Sequence, residues 1–258
     1  MTIKTYSAFG YGHQIIVENN FLPFSENGVD ELVGELRLEG YTIGDLADEM
    51  ARAMNEVGTL NYTASLDRNT GLITIAGDSN FYLYVTSSSL SGASVYPILG
   101  FTSERSGSDT YEGNSRSGSI FYPQFYLQKY VDFVDFQSPT SSTISESATG
   151  KIQVVKYQDV NYMECNITLQ TNIPQSKDSI IRNANGYDEL LAFMQYAVLK
   201  QPLEFYPNAD DLEENVTECL LESTSTDSKG TGFKLIELYS RGFAEWFETG
   251  TIKFRDIK

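Results

Sequence analysis

The sequence is poor in the side chains on which most enzymes and metal sites depend. It contains one histidine, His13, and two cysteines, Cys165 and Cys219, among 258 residues. Nucleophilic triads and most transition-metal sites use histidine. Two well-separated cysteines make neither a disulfide framework nor a zinc site. We therefore expect a non-enzymatic protein without cofactor or metal, in which His13 is exposed or has a packing role and both cysteines are buried free thiols.

Positive charge is also scarce. The 18 Lys and Arg residues against 35 Asp and Glu residues give a formal net charge of −17. Affinity for nucleic acid comes largely from Lys and Arg contacts to phosphates, so this field repels DNA and RNA. We expect no site-specific nucleic-acid binding. The charge either maintains solubility or provides a surface past which nucleic acid slides without sticking.

Long apolar runs are missing as well. No stretch approaches the roughly 20 apolar residues that cross a bilayer. The opening residues, MTIKTYSAFGYGHQ, contain no apolar region of the kind found in a secretory signal. We therefore expect no membrane partner and a chain that folds in the cytoplasm.

Two short motifs suggest chemistry without the residues that it requires. Gly10-Tyr11-Gly12 lacks the third glycine and the preceding buried strand of a dinucleotide-binding turn. The acidic run from Asp210 to Glu214 lacks the alternating oxygens and the glycine of a calcium loop, which favours a solvated turn. A glycosidase stays as a remote alternative because carboxylates are abundant, although nothing in the sequence singles out a pair.

The first half contains a clear pattern of helix, hairpin and aromatic turn. Thr42 is a good N-cap, and apolar residues recur at helical spacing until Gly58 ends the helix. The segments Asn61–Leu66 and Leu72–Ala76 predict two strands, because an Asp-Arg-Asn-Thr-Gly turn joins them. The segment Phe81–Ser87 predicts a further, separate strand.

The second half repeats this mixture of strands with one helix. The Ser- and Gly-rich segment Thr102–Ser119 predicts a boundary or an extended surface arm. Beyond it, aromatic and alternating patterns predict strands, a helix over Tyr187–Leu199 and a strand over Leu203–Tyr206. The predicted fold class is α+β, with mostly antiparallel β-sheets and one helix in each half. We predict two domains, residues 1–119 and 120–258.

Aromatic side chains are abundant and concentrated between residues 121 and 136. Protein interfaces are enriched in Tyr and Phe, whereas a carbohydrate platform needs aromatic rings exposed on one face of a sheet. We interpret this segment as core plus subunit interface. The candidate interface residues are Tyr111, Phe121, Tyr122, Phe125, Tyr126, Tyr130, Phe133, Phe136, Trp246 and Phe247.

The pattern in the first half resembles a module that recurs in structural proteins of tailed bacteriophages, usually near the baseplate. There, a short helix precedes a hairpin with an Asp-x-x-Thr-Gly turn and a Leu-Gly-Phe closure. The resemblance lies in Gly40, Tyr41, Thr42, Leu46, Ala47, Asn55, Asp67, Thr70, Gly71, Ile75, Leu99, Gly100 and Phe101. The second half is similar, through less specific motifs, to tail-tube and distal-tail proteins, whose β-sheets and single helix close into rings around the DNA channel.

This resemblance implies a non-enzymatic virion structural protein whose ring connects the tail tube to the baseplate around the DNA channel. The implied partners are copies of the same chain, six or three in a ring, and other tail or baseplate proteins. DNA would be only non-specific cargo, and no membrane would be involved. The expected location is the virion tail, after assembly in the host cytoplasm. The alternative is a host-glycan receptor-binding module on a tail appendage.

Overall fold

The structure is a computed structural model that describes residues 8–122, 134–137, 142–146, 152–156, 162–170, 187–225, 227–228, 230, 232–234, 236–241 and 244–257. Up to residue 122 its elements are β1 (Ala8–Tyr11), β2 (His13–Gln14), β3 (Phe21–Ser25), β4 (Leu32–Glu35), β5 (Gly40–Tyr41), α1 (Ile43–Val57), β6 (Tyr62–Asp67), β7 (Leu72–Leu83), β8 (Arg105–Glu112) and β9 (Ser119–Phe121). The later elements are β10 (Val134–Gln137), β11 (Ser142–Glu146), β12 (Ile152–Lys156), β13 (Tyr162–Gln170), α2 (Tyr187–Val198), β14 (Leu203–Tyr206), β15 (Thr217–Thr224), β16 (Ile236–Arg241) and β17 (Ala244–Asp256).

The α+β class is confirmed. The sheets are mostly antiparallel, and the described residues contain two α-helices, one in each half. The chain forms two compact units: Met1–Tyr122 with Gln201–Val216, and Pro123–Lys200 with Thr217–Lys258. The predicted domains, residues 1–119 and 120–258, stay a prediction about independent folding.

Helix α1 begins and ends where the sequence predicts. The Thr42 side chain accepts a hydrogen bond from the Asp45 N–H at 3.0 Å, which satisfies one of the unpaired donors at the helix start. At the other end, the Gly58 N–H donates to the Met54 carbonyl at 2.8 Å. The buried face of the helix carries Ile43, Leu46, Ala47, Met50, Ala53 and Met54. Period-3.6 spacing puts these side chains on one stripe against the sheet.

Strand β7 organises the main sheet of the first unit. Its first half pairs with β6, its last residues pair with β3, β4 continues beyond β3, and β8 also pairs with β7. The separate strand predicted over Phe81–Ser87 is wrong, because β7 continues to Leu83. A register shift between Ala76 and Phe81 accommodates the intervening residues, so the Gly77-Asp78 pair does not end the strand.

The arm predicted over Thr102–Ser119 is also wrong, because the eight residues Arg105–Glu112 within it form β8 and pair with β7. The Tyr111 side chain is buried, its hydroxyl donates to the Phe81 carbonyl at 2.6 Å, and it accepts the Ser108 N–H at 2.9 Å. One aromatic anchor thus holds a strand that otherwise consists of polar and charged residues and one glycine. Composition alone favoured a linker, since an anchor of one residue leaves no alternating pattern.

Three strands of the first unit that are distant in sequence also pair with one another. Strand β1 pairs antiparallel with β9 on one side and β14 on the other. Strand β14 matches the prediction for Leu203–Tyr206. Beneath it, Ala8, Tyr206 and Leu212 form a small buried cluster. The segment 201–216 therefore belongs to the same unit as the N-terminal strands.

Within the second unit, antiparallel strands follow the order β10-β13-β17-β15, with β16 also paired to β17. Helix α2 ends at Val198, one residue before the predicted end, and packs its buried Phe193 near Phe254, with ring centroids 6.3 Å apart. Strands β11 and β12 pair with each other. Cys219 is a buried free cysteine, as predicted.

Candidate functional site

The residues that carry the phage-module resemblance have structural roles in the first unit. The Asn55 side chain donates to the Tyr62 carbonyl and accepts the Tyr62 N–H, both at 2.7 Å, so it ties the end of α1 to the start of β6. Asp67 accepts hydrogen bonds from the N–H groups of Asn69 at 2.9 Å and Thr70 at 3.1 Å. These are the local bonds that a tight turn requires.

The Leu-Gly-Phe closure is equally structural. Leu99 and Phe101 are fully buried, while Gly100 has φ +84°. Its carbonyl accepts the N–H groups of Asn114 at 2.7 Å and Ser115 at 3.1 Å. A side chain at Gly100 would place its Cβ 2.0 Å from the Ser115 carbonyl oxygen. Glycine is therefore required here both for the backbone angle and for the close approach.

The tip of the β6–β7 hairpin is held by a group of ionised side chains that we call the hairpin clamp: Arg68, Glu204 and Glu213. The Arg68 guanidinium lies 3.0 Å from a Glu204 oxygen and 3.2 Å from a Glu213 oxygen. The backbone N–H of Arg68 also donates a hydrogen bond to a carboxylate oxygen of Glu213 at 2.6 Å. Glu204 is only 1% exposed, and it additionally accepts the hydroxyl hydrogen of buried Tyr206.

The electrostatics of the clamp favour a charged arginine. Burial acts to lower the pKa of Arg68, but the hydrogen bonds and charges of Glu204 and Glu213 outweigh it and raise that pKa. Burial and the neighbouring Glu204 charge raise the pKa of Tyr206, so its hydroxyl stays protonated and donates. The clamp is a closed set of satisfied charges and not a reactive pair.

The acidic turn that follows β14 serves the same hairpin. Asp210 and Asp211 are exposed, as the solvated-turn prediction requires. The turn also makes specific bonds, however: the Leu212 N–H donates to the Asn69 side chain at 2.9 Å, and Asn69 donates to Asp211 at 3.3 Å. The turn is thus an anchor as well as a solvated surface. The sequence carried no signal for this pairing across about 140 residues.

The single histidine lies in a structural position. His13 Nε2 accepts the Gly118 N–H at 3.0 Å, and burial lowers the pKa of His13 from 6.5 to about 4. An acceptor Nε2 requires the neutral imidazole with its proton on Nδ1. Protonation would place an N–H opposite the Gly118 N–H and break this bond.

This geometry predicts a pH-dependent stability. The unfolded chain takes up a proton near pH 6.5 and the folded chain near pH 4, so stability is full above pH 6.5 and falls as the pH decreases towards 4. Between pH 7 and pH 5 we expect His13 to account for a loss of about 2 kcal/mol. The variant His13→Gln keeps an acceptor and cannot titrate. Urea unfolding of both proteins at the two pH values checks this, and equal pH slopes would contradict it.

A second anchor holds the connection between α1 and β6. The Glu26 carboxylate accepts the N–H groups of Thr59 at 2.6 Å and Leu60 at 2.9 Å, the Thr59 hydroxyl, and the Tyr62 hydroxyl at 3.1 Å. Burial acts to raise the pKa of Glu26, but the bonds from Leu60 and Thr59 outweigh it and lower that pKa. This contribution to stability is present above the ordinary pKa and is lost as the pH falls below it.

We predict that Glu26→Gln lowers the free energy of unfolding by about 1–3 kcal/mol, because an amide presents N–H groups to donors. The matched control is Glu56→Gln, since Glu56 is an exposed carboxylate paired with Arg52 on the surface of α1. Exposed pairs of this kind contribute about 0–1 kcal/mol. Denaturant unfolding at pH 7 measures both variants, and an equal effect of the two would refute the anchor.

Three of the candidate interface residues lie in the first unit. Tyr111 and Phe121 are buried, and Tyr122 is half-buried against the Ala8, Tyr206 and Leu212 cluster. Phe121 lies opposite Phe9 in the β1–β9 pair. The fold of this unit therefore uses these three rings for its own packing.

The other candidates lie in the second unit or outside the described residues. Phe136 is part of β10, while Trp246 and Phe247 lie in β17 opposite Gln170 and Leu169 of β13. The four remaining positions lie outside the described residues: Phe125, Tyr126, Tyr130 and Phe133. The interface assignment of the ten residues stays a prediction.

Among the residues that the structure describes, no group of three or more His, Cys, Asp or Glu side chains could hold a metal ion. Within the same parts of the chain, no helix is both long and apolar enough to span a membrane. No model of a known protein family matches the chain, and no curated protein matches it.

Proposed function

We propose that this chain is a non-enzymatic structural component of a tailed-bacteriophage virion, forming a ring that joins the tail tube to the baseplate around the DNA channel. One observation carries the proposal: the polar residues of the resembling module are bonded within the fold, and its apolar residues are buried. The residues of this motif cap a helix, form turns and pack in the core, so they maintain the fold. Such a motif is typical of an assembly protein, since a catalytic motif leaves polar groups directed at a substrate.

The acidic charge fits the same role. A channel wall with a net negative potential repels the phosphate backbone, so DNA can pass with few attractive contacts. The net charge of −17 would then be concentrated on the channel side of the ring. DNA is a cargo in this proposal, and copies of the chain and neighbouring tail or baseplate proteins are the partners.

Two buried aromatic residues favour this function over the glycan-binding alternative. A carbohydrate platform needs exposed rings, whereas Tyr111 and Phe121 are buried in the core of the first unit. His13 Nε2 likewise accepts the Gly118 N–H. These two rings and this imidazole nitrogen are thus committed to the fold.

The purified full chain tests this function by its assembly behaviour. We expect light scattering after size-exclusion chromatography to give a multiple of the 28.9 kDa chain mass, and negative-stain images to show closed rings. Glycan arrays and polysaccharide turnover are measured on the same preparation. A monomer that binds a defined glycan, or that cleaves a polysaccharide, would overturn the proposal in favour of receptor binding or hydrolysis.

A further inference from the structure

Strand β6 is an edge strand with open backbone groups. Among the described residues it pairs with β7 along six consecutive positions, Tyr62–Asp67, and no described strand lies on its other side. Two bonds fix the direction of its peptide groups. The Tyr62 N–H and carbonyl both bond Asn55, so they face away from β7. In β7, the Ile73 carbonyl accepts the Gly113 N–H on the side away from β6.

Alternation along the strand then assigns the other positions. Antiparallel residues alternate between those that bond the partner and those that face away from it. Since Tyr62 faces outwards, the peptide groups of Ala64 and Leu66 face outwards too. No other described residue hydrogen-bonds their backbone N–H or carbonyl groups. The edge therefore presents two donors and two acceptors in a straight row.

This edge lacks the devices that protect β8, which lies at another edge of the same sheet. Strand β8 has Gly107 at φ +76°, two register shifts against β7, and charged residues at Arg105, Asp109 and Glu112. Bulges and charges of this kind discourage pairing with another chain. Strand β6 runs in unbroken register with β7, and Asp67 at its end is its one charged residue. Native proteins rarely leave such an edge unpaired.

Apolar surface accompanies the open backbone. Ala64 and Leu66 pack against the core but are only half-buried. The side of α1 that reaches β6 through Asn55 also carries Asp48, seven residues earlier, and both residues are exposed. The helix therefore leaves this edge accessible to solvent. A strand placed there would cover the two apolar side chains and satisfy their peptide groups.

We propose that β6 pairs antiparallel with β6 of a second copy of this chain, around a two-fold axis that passes beside Ser65. In this register Ala64 lies opposite Leu66 of the second copy, and Leu66 lies opposite its Ala64. The four outward-facing N–H groups of the two strands then meet four carbonyl groups. Tyr62 takes no part, so its bonds to Asn55 are kept.

The side chains favour a second copy as the occupant. On the core side, small Ala64 faces large Leu66, which fills the space evenly. On the exposed side, Ser65 faces Ser65 of the second copy and Thr63 faces its Asp67, so no like charges are directly opposed. Because Asp67 is the one charged residue of the strand, this pairing brings few acidic groups together although each copy has a net charge of −17. This pairing does not rest on the ring proposal, because it follows from the edge alone.

A cysteine at the axis tests the register. Directly opposed residues of the non-hydrogen-bonded type have Cα atoms about 4.5 Å apart, which suits a disulfide. We expect oxidised Ser65→Cys to form a covalent dimer. Thr63→Cys is the matched control, because the register places it opposite Asp67 and not opposite itself. The unmodified chain gives the background from Cys165 and Cys219. Equal crosslinking of the two variants would overturn the proposed register.

A charge exchange tests the interface itself. Ser65→Lys and Ser65→Asp each place like charges in contact at the axis, so each is expected to weaken self-association at least about fivefold. An equimolar mixture of the two variants restores it through a Lys–Asp pair. Ser65 is exposed, and circular dichroism checks that both variants fold. Sedimentation that shows unchanged association, or no recovery in the mixture, would overturn the proposal. Rings seen by microscopy without this pairing would leave the ring proposal standing.

Discussion

Replacing Arg68 with methionine is expected to lower the free energy of unfolding by about 3–5 kcal/mol, the usual cost of leaving a buried charge without its partner. Glu204 is 1% exposed, and the Arg68 guanidinium at 3.0 Å is its ion-pair partner. Methionine preserves most of the apolar stem and removes the charge. Urea unfolding followed by circular dichroism measures the loss.

Two companion variants separate the charge from the general effect of a substitution. Arg116→Met removes a neighbouring arginine that donates to the carbonyls of Arg68 and Asn69, and it should cost less than about 1 kcal/mol. Adding Glu204→Gln to Arg68→Met should recover part of the loss, because a neutral amide oxygen still accepts the Tyr206 hydroxyl hydrogen. If the free energy of unfolding of Arg68→Met lies within about 1 kcal/mol of that of the unmodified protein, the clamp does not hold the hairpin.

The second large effect is expected at the Leu-Gly-Phe closure. Gly100→Ala places a methyl group 2.0 Å from the Ser115 carbonyl oxygen, on a backbone with φ +84°. The left-handed backbone costs an alanine roughly 1–2 kcal/mol and the overlap roughly 1–3 kcal/mol more. We therefore expect a loss of about 2–5 kcal/mol in free energy of unfolding.

Gly92→Ala is the matched control for the closure. A Cβ at Gly92 meets no atom within 4 Å, and Gly92 is not among the glycines with positive φ. Its substitution should change the free energy of unfolding by less than about 0.5 kcal/mol. A comparable effect of the two substitutions on the thermal midpoint would show that Gly100 tolerates a side chain.

The sequence predicted those elements whose signals are local. Thr42 and Gly58 mark the ends of α1, and the Asp67–Gly71 turn marks the β6–β7 hairpin, because capping and turn chemistry act within a few residues. The apolar stripe on the buried face of α1 follows from the 3.6-residue period of the helix alone. In the second half, the strand predicted over Leu203–Tyr206 is β14. These predicted elements are confirmed in the structure.

The parts that the sequence did not predict depend on distant pairings. Arg68 meets Glu204 across 136 positions, and no local pattern distinguishes either residue from the other charged side chains. Strand β8 was mistaken for an arm because its single buried anchor, Tyr111, is the only apolar side chain in the strand. The Glu26 anchor was missed for the same reason, since its donors lie about 33 residues away. Tertiary contacts of this kind override composition.

The most direct test of the account is cryo-electron microscopy of virus particles that contain this chain. We expect density for the first unit, with its clamped hairpin, repeated in a closed ring around a central channel between the tail tube and the baseplate. We also expect acidic side chains on the channel wall. Copies placed on an external appendage, with aromatic side chains lining a groove outside any channel, would contradict it.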